Sequence, residues 1–262
     1  MSDLTSQVAV VTGAGQGMGR AFAQRLCEAG ATVAVAEVNR ETGQTAVNEL
    51  TAAGHRAHFY PVDVRDSPTI QAMTDDLVTR FGRIDILVNN AGVASAGPSE
   101  DVTEDEWNRV LGIMLTGLFR CSQIVARIMI KQGGGRIVNI ASMTGIGGWN
   151  QRACYTTAKA GTIALTQVLG VEWAKYNIRV NALAPGQVET PLNEYVFSRG
   201  LADRQTFTNR APMRRFADPS EIAEAVLFLA SDESSYVNAD VVVIDGGWMA
   251  WGQLAFKDRP QP

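Results

Sequence analysis

The sequence predicts an α/β fold: a doubly wound, mostly parallel seven-stranded sheet with helices on both faces. Three observations carry this. Short runs rich in Val, Ile and Ala alternate along the chain with segments of helical spacing. Most of these runs are apolar at successive positions rather than at every second one, which is the pattern of strands covered on both faces. The first run also leads directly into a glycine-rich turn and then a helix.

Taken in order, the strands fall at Val8–Thr12, Thr32–Glu37, Ala57–Val62, Ile84–Asn89, Arg136–Ala141, Ile178–Ala184 and Val241–Ile244. Helical spacing fills the gaps. Ala21, Leu26 and Ala29 mark the first helix, and Ile70, Met73, Leu77 and Phe81 recur at three or four residues, as one buried face requires. Gly30, Gly54 and Gly82 stand where three helices end and a left-handed cap is favoured. Strand–helix alternation with right-handed crossovers builds a parallel sheet with its ligand crevice at the carboxyl ends of the strands. No linker or composition break divides the 262 residues, so one domain is expected over 1–262, with a substrate loop at about 187–211 and a tail at 248–262.

Composition excludes several classes. A net charge of −4 and a pI near 5.3 lack the basic footprint of a nucleic-acid binder. No export signal is read at the polar start, and no apolar run is read as long enough for a membrane span. Cys27, Cys121 and Cys154 lie far apart without CxxC spacing, which suggests free thiols in a reducing compartment and hence a cytoplasmic protein. His55 and His58 are the only imidazoles, and no metal site is expected from them.

The glycine-rich turn reads Thr12-Gly13-Ala14-Gly15-Gln16-Gly17-Met18-Gly19, a TGxxxGxG pattern at a strand–helix junction. Glycine lets backbone approach a pyrophosphate, whose charge is favoured at a helix N-terminus. Together with the predicted sheet this is a Rossmann-type arrangement for a dinucleotide. Glu37 ends the second strand, 18 residues beyond Gly19, where a carboxylate accepts hydrogen bonds from ribose hydroxyls and repels a 2′-phosphate. Val38 offers a phosphate nothing, whereas Arg40 stands three residues on; NAD is therefore expected over NADP.

These residues resemble the short-chain dehydrogenase/reductase family, and the likeness runs from about Gln7 to Trp248. Thr12–Gly19 is similar to its cofactor loop, Asp63-Val64 to its adenine-contacting pair, and Asn89-Asn90-Ala91-Gly92 to its NNAG turn. Ser142 with Tyr155-Thr156-Thr157-Ala158-Lys159 resembles its catalytic Ser and YxxxK. Pro185-Gly186, followed by Val188 and Thr190, resembles the segment that meets the nicotinamide, and Asp245-Gly246-Gly247 its closing turn. The resemblance implies cofactor contacts at Gly13, Gln16, Gly17, Met18, Gly19, Glu37, Asp63, Val64, Asn90, Ala91, Gly92, Tyr155, Lys159, Pro185, Gly186, Val188 and Thr190. It also implies a tetramer, and the aromatic stretch Trp248–Phe256 suggests packing on a neighbouring subunit.

The chemistry of the pair stands on its own. Tyr155 and Lys159 are four apart in a helical segment, Tyr155–Tyr176, and share a face. A free tyrosine titrates near 10, and lowering it to about 7 takes about 4 kcal/mol. An ammonium about 4 Å away supplies an interaction of that size. Tyr155 is then the acid or base of hydride transfer, Lys159 activates it and binds the nicotinamide ribose, and Ser142 aims the substrate oxygen.

One position departs from the family. The usual N-L-x-G-x-F reads Met114-Leu115-Thr116-Gly117-Leu118-Phe119, so Met114 replaces an Asn that the family uses in a proton relay. A working enzyme with a weakened or rebuilt relay is expected over an inactive dinucleotide-binding relative. Substrate contacts are expected at Ser142, Trp149, Asn150 and Gln187, whose amides and indole suit a polyol or sugar-like small molecule. The alternative is a hydrophobic ketone walled by Val93, Ile146 and Phe197. A 3-oxoacyl carrier-protein reductase is less expected, because those relatives usually take NADPH. A hydrolase is excluded by the lack of a GxSxG elbow or a histidine partner for Ser142.

Overall fold

The structure is a computed structural model that describes residues 2–198, 200 and 203–251. Strands β1 (Val8–Thr12), β2 (Thr32–Glu37), β3 (Ala57–Pro61), β4 (Ile86–Asn89), β5 (Gly135–Ile140), β6 (Ile178–Pro185) and β7 (Val241–Ile244) form one sheet in the order β3-β2-β1-β4-β5-β6-β7. Each neighbouring pair is parallel. Fold class and strand positions thus agree with the sequence reading. β4 starts two residues later than expected, because the main chain of Ile84 bonds the side-chain amide of Gln132.

The helices are α1 (Gly17–Glu28), α2 (Arg40–Ala52), α3 (Ser67–Phe81), α4 (Glu104–Leu111), α5 (Gly117–Gln132), α6 (Ala153–Trp173), α7 (Pro191–Ser198), α8 (Arg204–Arg210) and α9 (Pro219–Ala230). Strand residues alternate between two cores, as the pleat dictates. Ala9, Val11, Val33 and Val35 pack with Phe22 and Leu26 of α1, Leu50 of α2 and Ile222 of α9. Val8, Val10, Ala34 and Leu87 pack on the opposite face with Leu77 of α3, Val125 of α5 and Leu169 of α6. Each fully buried Leu or Ile of this kind contributes about 1.5–3 kcal/mol.

Local signals end the helices as expected. Gly82 caps α3 with a φ of 77°, and Gly30 and Gly54 follow α1 and α2 with φ of 98° and 85°. Asp218 and Glu221 form a capping box around Pro219 at the start of α9.

The continuous helical run Glu104–Gln132 contains an 18-residue window of mean hydropathy 1.5, long and apolar enough to cross a membrane, contrary to the sequence expectation. Here 44% of that window is core, with Cys121, Val125, Ala126 and Met129 buried against the sheet. A single π-turn, Gly112–Thr116, separates α4 from α5 within this run.

Strand order reverses between β1 and β4, which both lie at the middle of the sheet. Their carboxyl ends diverge into opposite crossovers, and that opens the crevice in which ligands sit.

Candidate active site

The glycine loop is pinned to the end of β4. The Thr12 hydroxyl accepts from the amides of Asn90 and Ala91 at 3.0 and 3.1 Å. The Asn90 side chain donates to the carbonyls of Thr12 and Gly13, at 3.0 Å each. A Cβ at Gly19 would lie 2.1 Å from the Gly13 carbonyl oxygen, so only glycine allows this approach. Gln16 stands at the N-cap of α1 without a side-chain hydrogen bond, whereas Asn39 and Asp218 cap α2 and α9. The first-turn amides of α1 therefore border the crevice with no capping side chain on them, as a phosphate site needs.

The crevice is a cavity of about 280 Å³. It is lined by Gly13, Gln16, Gly17, Met18, Gly19, Glu37, Asp63, Val64, Asn90, Ala91, Gly92, Tyr155, Lys159 and Thr190, all expected from the sequence. The Glu37 carboxylate is held at the rim by the amides of Gly15 and Asn39, each 3.1 Å away. Asp63 is engaged by Arg65, with 2.6 Å between Nη2 and Oδ2, and these hydrogen bonds hold its carboxyl below the usual range. Val38 and Val93 also line the wall, Val93 having been expected on the substrate side, and Arg65 and Ile113 line it without having been anticipated. The glycine cradle, uncapped helix start and strand-end carboxylate fit a nicotinamide dinucleotide.

A second cavity of about 100 Å³ adjoins the first and shares Met18, Ala141, Tyr155 and Thr190 with it. Pro185, Gly186 and Val188, expected among the cofactor residues, line this second cavity and not the first. Ser142, Trp149 and Gln187 line it as expected. Asn150 is exposed and lines neither cavity. The second amide on this wall, beside Gln187, belongs instead to Asn193, which donates to the Val188 carbonyl at 2.8 Å. Trp149, Phe207 and Trp248 form a mutual cluster, with Trp149 5.9 and 5.5 Å from the other two rings and those two 5.8 Å apart, which joins the loop before α6 to α8 and to the turn after β7. The wall also holds Arg152, which the sequence reading passed over; its spacing of three before Tyr155 was the available signal.

Ser142, Tyr155 and Lys159 meet where the cavities join. Ser142 is buried after β5 and accepts from the amide and hydroxyl of Thr144, at 3.2 and 3.0 Å. Lys159 is 5% exposed and donates to the Ile140 carbonyl at 2.5 Å. Burial lowers its pKa to about 8. Burial raises the Tyr155 phenol instead, opposed by a hydrogen bond with Ser142 and by the positive charge of Arg152. The expectation that Lys159 lies close over Tyr155 and lowers its pKa is therefore corrected for the protein by itself. The ammonium is 5.7 Å from the centre of the ring and turned toward a carbonyl, and loss of water outweighs the attraction.

Met114 is 2% exposed and sits within the π-turn, an uncommon geometry that recurs at functional sites. It borders the large cavity and a pocket of about 10 Å³ that Lys159 and Asn89 also line. Asn89 donates to Ser122 and Asn139 at 2.9 Å each, while its buried Oδ1 has no partner. Cys27, Cys121 and Cys154 are buried and free, and no cluster of metal-ligating side chains occurs among the described residues.

Residues 13–249 match a sequence family described as enoyl-(acyl carrier protein) reductase. The chain is 39% identical to the 3-oxoacyl-acyl-carrier-protein reductase of Thermotoga maritima over 93% of its own length and 98% of that protein. It is 37% identical to the D-threitol dehydrogenase of Mycolicibacterium smegmatis, covering 94% of each. Among solved structures it is similar to a gluconate 5-dehydrogenase from Burkholderia cenocepacia in complex with NADP and tartrate, with a TM-score of 0.89, 35% identity and coverage of 95% and 98% of the two chains. With the crevice and its lining residues, these likenesses make the chain a member of the short-chain dehydrogenase/reductase family, an oxidoreductase that uses a nicotinamide cofactor.

Proposed function

We propose that the protein is an NAD-dependent dehydrogenase that interconverts a secondary alcohol and its ketone on a polyol or sugar-like substrate, with Ser142, Tyr155 and Lys159 as its catalytic residues. The observation that carries this reading is the position of Tyr155. It lines both cavities, and Ser142, which draws its phenol toward ionisation, lines the smaller one. D-Threitol and gluconate, named for relatives of similar identity, support the substrate class.

A nicotinamide dinucleotide bound in the larger cavity supplies the hydride acceptor or donor. Ser142 holds the substrate oxygen and places the reacting carbon at the seam. Tyr155 takes the hydroxyl proton in oxidation and returns it in reduction. Lys159 keeps a positive charge beneath the reacting centre and stands where ribose hydroxyls would be held. Ser142 and Arg152 are the groups that draw Tyr155 toward its ionised form within the chain itself.

NAD is favoured by Glu37, whose carboxylate is held at the cavity rim by the amides of Gly15 and Asn39 and would repel a 2′-phosphate. Arg40 is exposed and does not line the cavity, and Arg65 is occupied by Asp63. One domain and a homotetramer are part of the same reading. Exposed apolar side chains on the outer helices, Phe119, Val168 and Val171, suit a subunit interface, as does Val243 on the edge strand. Of the aromatic tail, residues 252–262 lie outside the described residues. The three buried thiols suit a reducing, cytoplasmic setting.

A hydrophobic ketone is a second reading, favoured by the apolar wall of Met143, Val196, Phe197 and Phe207 in the smaller cavity. Dialysed enzyme is assayed with NAD⁺ and NADP⁺ on polyols, and with NADH and NADPH on cyclic ketones and a 3-oxoacyl thioester. Oxidation of polyols with NAD⁺ is expected. A strong preference for NADPH or for the thioester overturns the assignment, and dinucleotide binding without turnover on any substrate would make this an inactive relative.

A further inference from the structure

Arg152 stands at the N-cap of α6, one turn before Tyr155, and lines the smaller cavity. Its Nη1 donates to the Ser95 carbonyl at 3.0 Å. Among the described residues no carboxylate lies within 4.0 Å of its guanidinium, and no Asp, Glu or Lys shares that cavity wall. By contrast Arg65, Arg109 and Arg215 each pair with a neighbouring carboxylate. A partly buried guanidinium held by one carbonyl has lost water without gaining a counter-charge, which is costly. The arrangement is suited to an anion that arrives with the substrate.

We infer that Arg152 binds a carboxylate of the substrate, so that the alcohol oxidised at Ser142 and Tyr155 belongs to a hydroxy acid. This rests on the dehydrogenase reading and narrows its substrate class. The planar fork of Arg152 pairs both carboxylate oxygens. The spacing of Arg152 and Tyr155 on one helix side places the acid group within a few carbons of the reacting hydroxyl. Gln187 and Asn193 on the same wall supply amides for further hydroxyls. Closeness of the two groups is also evident in the pull that Arg152 exerts on the Tyr155 phenol.

The test is steady-state oxidation with NAD⁺ of three matched pairs. These are D-gluconate against D-glucitol, D-threonate against D-threitol, and 4-hydroxycyclohexanecarboxylate against its primary amide. Wild-type, Arg152→Gln and Arg152→Lys proteins are compared, with NAD⁺ binding followed by fluorescence to show that each variant is folded. Wild-type enzyme is expected to favour the acid of at least one pair by about 10-fold or more in kcat/KM. Arg152→Gln brings that ratio close to one, mainly through a rise of about 10-fold or more in KM for the acid. Arg152→Lys recovers part of it, since an ammonium keeps the charge but not the fork.

Wild-type preference for the neutral partner in every pair overturns the assignment of Arg152, and needs no variant. So does an acid-to-neutral ratio that stays the same in Arg152→Gln or Arg152→Lys. Turnover of no secondary alcohol at all overturns instead the dehydrogenase reading beneath it.

Discussion

Lys159 reaches from the second turn of α6 to the end of β5, where its ammonium donates to the carbonyl oxygen of Ile140 at 2.5 Å. That bond holds the charge at the back of the site, and the absence of water around it lowers the lysine pKa from 10.5 to about 8. A base whose pKa falls on folding weakens the fold while it is protonated in both states. The cost is therefore full below about pH 8, shrinks as pH rises from about 8 to 10.5, and is gone above that range.

Lys159→Met should test this directly. The displacement from 10.5 to about 8 corresponds to about 3 kcal/mol. Loss of the Ile140 hydrogen bond offsets about 1 kcal/mol of the gain. The variant should lose turnover yet be about 2 kcal/mol more stable than wild type at pH 7, with the advantage gone by about pH 10. Urea unfolding of the cofactor-free proteins at both pH values measures it. A loss of stability independent of pH would count against a buried ammonium.

Tyr155→Phe should lower kcat by about 1,000-fold or more while dinucleotide affinity stays within about threefold. Ser142→Ala should do something different as well. It removes a hydrogen bond that draws the phenol toward ionisation, so the rising limb of kcat/KM for alcohol oxidation should move to higher pH. Its plateau should fall about 100-fold. An unshifted pH profile would mean that Ser142 acts on the substrate alone.

Replacing the rim carboxylate should change cofactor choice. In Glu37→Ala combined with Val38→Arg, the amides of Gly15 and Asn39 lose their acceptor and a guanidinium faces the ribose edge. KM for NAD⁺ should rise about 10-fold and that for NADP⁺ fall by a similar factor. Initial rates with both cofactors decide it; an unchanged ratio would remove Glu37 from discrimination.

Met114→Asn should raise kcat by about 10-fold if the relay behind Lys159 is the weak part of the machinery. The same change puts an amide into a site that is 2% exposed and should cost about 2–3 kcal/mol of stability. Turnover and thermal unfolding measured together separate the two effects. Unaltered turnover would show that the main chain of the π-turn is enough.

The fold was legible because its signals are local. Runs such as Val8–Thr12 and Thr32–Glu37 are apolar on both faces, and both faces are covered. The positions of the glycine loop, Glu37, Ser142, Tyr155 and Lys159 on the cavity walls were also legible, because each lies at a strand end or helix start that the sequence already marks. The strand boundary at Ile84 did not, since the side chain that takes its main-chain bonds, Gln132, lies 48 residues away. The hydropathy of Glu104–Gln132 reads differently in the fold, where its apolar side covers the sheet.

By itself, then, the sequence determined the sheet, the glycine-lined crevice and the residues proposed as the proton-handling pair. Only the tertiary structure decided their electrostatic state. It withdrew Tyr155 and Lys159 from water, turned the ammonium to Ile140, left Asn150 outside and brought onto the smaller cavity an Arg152 with no carboxylate partner among the described residues. Spacing along a chain specifies which groups can share a face. Charge depends on how much water is lost and which partners arrive from distant segments, and those are settled only when the chain closes on itself.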